Sequence, residues 1–85
     1  MDVILVRWLS PNDSGQYYQR RATLPLAPSP DMLIVLDDEP MPVRIKDVAI
    51  NGSYVLCILA WSYEAATREN TRGWTPVGSN PYVIG

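Results

Sequence analysis

Eight prolines in a chain of 85 residues constrain this fold more than any other feature. Inside a helix a proline removes a hydrogen bond and collides with the preceding turn, at a cost of about 3 kcal/mol. Inside a sheet it is confined to edges, first residues and bulges. The prolines at 11, 25, 28, 30, 40, 42, 76 and 81 cut the chain into short pieces. Those pieces are rich in valine, isoleucine, leucine and tyrosine, which suit strands better than helices. An all-β, mainly antiparallel domain follows.

Residues 3–9 predict a first strand, apolar on both faces except at Arg7. Ser10-Pro11-Asn12-Asp13-Ser14-Gly15 is a cluster of turn formers. Residues 16–24 predict a second strand with no cleanly apolar face, as at a sheet edge. Pro25, Pro28 and Pro30 then make an extended, semi-rigid connection. A short third strand over 32–36 ends at Asp37-Asp38-Glu39-Pro40. Residues 43–50 and 54–63 predict a fourth and a fifth strand. Between them, Asn51-Gly52 suits a type I′ hairpin turn with φ > 0 at both positions. The apolar phase changes along the fourth strand, from Val43 and Ile45 to Val48 and Ile50, which predicts a bulge near Lys46-Asp47. The fifth strand is apolar on both faces and belongs at the centre of the sheet. Tyr82-Val83-Ile84 predicts a last short strand.

Five or six short strands in one domain over residues 1–85 predict a small SH3-like barrel or a rolled meander. One short helix fits at 64–70, where Glu64 and Arg68 stand four apart in the favourable order. An OB-like or a ubiquitin-like α+β arrangement is the alternative.

Several functions are disfavoured at this stage. The net charge is −2 and lysine and arginine form no block, so bulk nucleic-acid or anionic-membrane binding is not expected. The chain has no histidine, which removes Ser–His–Asp and Cys–His catalysis and the commonest metal ligand. Cys57 lies mid-strand with no neighbouring base, as a buried inert thiol does. One cysteine makes no internal disulfide, which points to a reducing cytoplasm. Asp2 and Arg7 interrupt any secretory leader, and no apolar run approaches the ~20 residues a membrane helix needs. The expectation is a cytoplasmic protein that is not an enzyme and uses no cofactor and no metal.

Two segments carry family resemblances. Leu33-Ile34-Val35-Leu36-Asp37-Asp38-Glu39-Pro40 resembles the acidic first-strand motif of response-regulator receiver domains, where paired acids hold Mg²⁺. The chain beyond Pro40 is too short for that doubly wound fold, and Pro42 blocks the helix that should come next. An acidic turn that keeps a strand edge soluble accounts for the same residues. Gly73-Trp74-Thr75-Pro76 with Tyr82-Val83 resembles the C-terminal end of SH3 domains, where such residues line a polyproline groove.

The expected function is a small protein-interaction module, of the kind found among phage or bacterial accessory proteins. Trp8 and Trp61 sit in apolar strands and belong to the core, whereas Trp74 lies in a polar loop. Trp74 either closes the barrel end or anchors a partner, with Arg72, Thr75 and Tyr82 as a rim. Tyr17 and Arg20 are the next candidates for partner binding. The run Tyr17-Tyr18-Gln19-Arg20-Arg21 also suits a single-stranded nucleic-acid binder, the alternative function. A small-ligand barrel is the third, and it calls for a pocket that a chain of this length builds most readily as a homo-oligomer.

Overall fold

The computed structural model describes residues 1–10, 15–36, 41–60 and 72–85. They form six strands: β1 (Asp2–Leu9), β2 (Gln16–Thr23), β3 (Leu33–Ile34), β4 (Val43–Asn51), β5 (Tyr54–Leu59) and β6 (Thr75–Gly78). All six belong to one sheet in the order β3-β4-β5-β1-β2-β6, and the described residues contain no helix. The domain is all-β and mostly antiparallel, as the prolines require.

β1 and β5 sit at the centre. β1 pairs antiparallel with β2 along its whole length, from Asp2 opposite Thr23 to Leu9 opposite Gln16. Its other edge pairs in parallel with β5, from Ile4 opposite Leu56 to Val6 opposite Ile58. Parallel pairs are covered on both faces and so carry unbroken apolar runs. That accounts for Val3-Ile4-Leu5-Val6 and Leu56-Cys57-Ile58-Leu59, all of them buried. The inner face joins Val3, Leu5, Leu9, Ile45, Cys57 and Leu59. The outer face carries Ile4, Val6, Leu56 and Ile58, packed by Tyr17, Ala49 and Ile84. The C-terminal segment is fastened across this outer face by side-chain amides. Asn51 Nδ2 donates to the Tyr82 carbonyl at 2.8 Å. Gln19 Nε2 donates to the Val83 carbonyl, and Gln19 Oε1 accepts from the Gly85 amide at 3.2 Å.

The inner cluster also gathers Met32, Ile34 and Leu36 from around β3 with Ala22 and Leu24 from the end of β2. Residues from opposite halves of the sheet therefore share one core, and the sheet is rolled. Consecutive strands pair at β1–β2, β3–β4 and β4–β5, and the parallel β5–β1 ladder joins the two ends of that series. Between β2 and β3 the described residues show no ladder. The roll stays open there because the connection turns its backbone to β4. Asp31 adopts φ 71°, its amide donates to the Ile45 carbonyl at 2.8 Å, and the Ile45 amide donates to the Met32 carbonyl at 2.8 Å.

Several local expectations hold. β4 changes register between Ile45 and Asp47, at the expected bulge. β5 lies between β4 and β1, as its two apolar faces require. Others need correcting. The hairpin turn is centred on Gly52-Ser53, one residue later than expected, because Asn51 still pairs with Tyr54. Gly52 takes φ 62° and Asn51 does not have positive φ, the pattern of a glycine-first type II′ turn. The last strand is Thr75–Gly78 and not residues 82–84. It accommodates Pro76 because, among the described residues, it is an edge strand paired only with β2. Arg7 is no exception to burial, being only 2% exposed on the inner face. The helix expected over 64–70, Trp61 and the acidic turn over 37–40 lie outside the described residues.

Candidate functional site

The expected partner-binding residues fall on different parts of the molecule. Trp74 is buried, 6% exposed, in the inner cluster with Leu36 and Tyr18. Gly73, at φ 81°, makes the turn that precedes it. Two guanidiniums approach the Trp74 ring, with Cζ of Arg7 5.3 Å and Cζ of Arg20 5.6 Å from its centroid. Neither guanidinium lacks a partner. A desolvated cation–π contact is worth about 2 kcal/mol, so this stack helps to hold the end of the roll. Trp74 Nε1 is buried with no hydrogen-bond acceptor among the described residues. Trp74 is thus buried in the inner cluster and not exposed in its loop.

Arg20 and Trp74 are thus brought together, and the exposed Arg72 and Thr75 flank Trp74 in the chain. The Tyr82 carbonyl is held by Asn51 at the β4–β5 hairpin, and its side chain is exposed. Tyr17 packs with the outer cluster and meets Trp8 edge-to-face, centroids 5.1 Å apart at 81°. Tyr18 belongs to the inner cluster, so alternation has put the two tyrosines on opposite faces. Arg21 lies over the Tyr54 ring, 5.6 Å from its centroid, beside an outer-face groove of about 480 Å³.

What the residue pattern did not single out is the open seam between β2 and β3. Leu26, Leu33 and Val35 are 67%, 58% and 72% exposed, and all three line one groove of about 450 Å³ together with Leu24, Met32 and Ile34. A second groove of about 290 Å³ lies between residues 20–24 and residues 34–36 and reaches Leu5. Single exposed leucines are ordinary, but a group of them around one depression marks a contact surface. Here the group lies beside strand edges with a ladder on one side only. β3 pairs with β4 alone, and residues 20–23 pair with β1 alone among the described residues. The signal in the sequence is a short apolar strand set soon after a proline-rich connection.

Cys57 is buried and free, and burial pushes its thiol above the ordinary range. The proton is therefore held more tightly than in a solvated thiol, the opposite of what nucleophilic activation needs. No helix among the described residues is long and apolar enough to cross a membrane. The chain matches no family model, no curated protein and no solved structure.

Proposed function

We propose that this domain is a protein-interaction module without enzymatic activity, and that its contact surface is the apolar groove at the open β2/β3 seam. The observation that carries this is the exposure of Leu26, Leu33 and Val35 around one groove beside unpaired strand edges. Burying such surface is favourable by about 25 cal/mol per Å², and contiguous exposed apolar patches mark interaction sites. The proposal moves the contact away from Trp74, whose burial makes it a support for the seam. It keeps the SH3-like description, as a five-stranded roll with β6 added, and the cytoplasmic placement suggested by the single free Cys57.

The nucleic-acid alternative has less support. Tyr18 is buried and Tyr17 is half-buried against Trp8, so neither ring offers an open stacking platform. The test is selection of binders from a random-peptide display library, with the Leu33→Lys/Val35→Lys double variant as counter-target. Peptides that bind the parent and lose at least tenfold in affinity on the double variant, with its melt unchanged, are the expected result. No enriched peptide, or peptides indifferent to both substitutions, refutes the proposal.

A further inference from the structure

We infer that Asn51 is a site of spontaneous modification, and that its conversion to a carboxylate unfastens residues 81–85 from the outer face of the sheet. The inference is independent of the contact surface proposed above.

Two observations meet at position 51. The first is chemical. Asn51 is followed by Gly52, and none of the other asparagines in the chain precedes glycine. The backbone nitrogen after an asparagine attacks the side-chain Cγ. The Cγ–Nδ2 bond then breaks, ammonia leaves and a succinimide ring forms. Water opens that ring at either carbonyl, giving aspartate or isoaspartate, and no oxidant or catalyst takes part. Glycine favours the attack because it has no Cβ to obstruct it and its backbone turns freely. Here Asn51, Gly52 and Ser53 are all exposed, and nothing lies within 4 Å of where a Cβ on Gly52 would stand.

The second observation is structural. The nitrogen that leaves, Nδ2, is the one that donates to the Tyr82 carbonyl at 2.8 Å. A carboxylate accepts hydrogen bonds and donates none. The product therefore sets acceptor against acceptor where a donor met an acceptor. Isoaspartate also lengthens the backbone where residue 51 pairs with Tyr54. Residues 81–85 belong to no ladder among the described residues. Once the Tyr82 contact is gone, they are held by the Gln19 amide, bonded to Val83 and Gly85, and by Ile84 on the outer cluster. Segments held by few contacts open locally without global unfolding. The coupling runs both ways. Ring closure must give up the bond to Tyr82, so the fastened segment slows the reaction, and the completed reaction prevents refastening. The contact is a one-way latch.

The test ages the whole protein at mildly alkaline pH and follows the peptide that contains residue 51 by mass spectrometry, with isoaspartate assayed by enzymatic methylation. The expected result is an amide-to-acid mass gain at residue 51, slower than in the urea-denatured chain. In the aged fraction, amide exchange at Gly85 should quicken at least tenfold while the β1 and β5 amides stay as they were. Asn51→Asp should reproduce that release without ageing. Asn51→Gln keeps an amide donor and should neither release the segment nor gain mass over the same period. Ile84→Ala loosens the segment from its other end and should speed the conversion. The inference is overturned if the folded protein gains no acid while the denatured chain converts, or if aged protein and Asn51→Asp exchange at Gly85 as the parent does. A melt of the whole domain lowered by both ageing and Asn51→Asp would also overturn it, because the carboxylate would then act on the fold and not on the segment. An unchanged conversion rate in Ile84→Ala would sever the reaction from the fastening and remove the latch.

Discussion

The β1–β5 seam and the β2–β3 seam belong to the same roll and are built in opposite ways. At the first, two apolar strands far apart in sequence pair in parallel, covered by the inner core on one face and by Ile84 and its neighbours on the other. At the second, two strands consecutive in sequence carry exposed Leu33 and Val35 and share no ladder among the described residues. Nearness in sequence usually favours pairing. It does not do so here because the connection from 24 to 32 holds three prolines and binds its backbone to Ile45. Strand pairing is thus decided by where the intervening backbone can find hydrogen-bond partners, and an apolar strand can complete a core at one seam and be left facing water at another.

The largest way to test this contrast is Trp74→Ala. Trp74 supports the roll beside the open seam through Arg7, Arg20 and Leu36. Its truncation should cost about 3–5 kcal/mol of folding stability in a denaturant titration. A melt near that of the parent would mean that the tryptophan is no lid. Leu56→Ala acts at the closed seam and should cost about 2–5 kcal/mol. A cost under about 1 kcal/mol would show that the parallel ladder is not the stable half.

A smaller effect belongs to the hairpin that delivers β5 to β1. Gly52→Val places a β-branched residue at φ 62°, with open space around it. The loss should therefore be conformational alone, about 1 kcal/mol or more. A neutral result would reassign the turn.

Cys57 reports on the closed side chemically. It should react slowly with a thiol reagent in the native state and fast after denaturation. Its folded pKa is raised, so the unfolded thiol ionises first as pH rises. The stability it contributes is complete below the unfolded pKa and is lost as pH rises through the folded one. Cys57→Val should flatten that alkaline loss, measured by denaturant midpoint against pH. An unchanged slope would place the titration elsewhere.

The smallest effect is expected at the open seam. Leu33→Lys and Val35→Lys should each change stability by no more than about 0.5 kcal/mol, because both side chains already face solvent. A loss comparable to that of Leu56→Ala would mean that the seam is closed in solution.

The chain's own residues determined much of this protein. Prolines at short intervals excluded long helices. Unbroken apolar runs marked β1 and β5 as central, and the phase change from Val43 and Ile45 to Val48 and Ile50 marked the bulge in β4. These are local or periodic signals, set by backbone sterics and by which side chains alternate. Only the tertiary structure decided which strands became neighbours, and with that what became of each aromatic and arginine. Trp74 looks exposed in its loop and is buried because Arg20 is its neighbour across β2 and Leu36 arrives from the far side of the roll. The Tyr82 backbone is tied to Asn51 by a contact 31 residues apart that no local pattern announces. Leu33 and Val35 stand in an apolar run and face solvent, because burial needs a partner surface and none of the described residues supplies one at that edge. Periodicity states which side chains share a face, but long-range pairing decides which faces are covered.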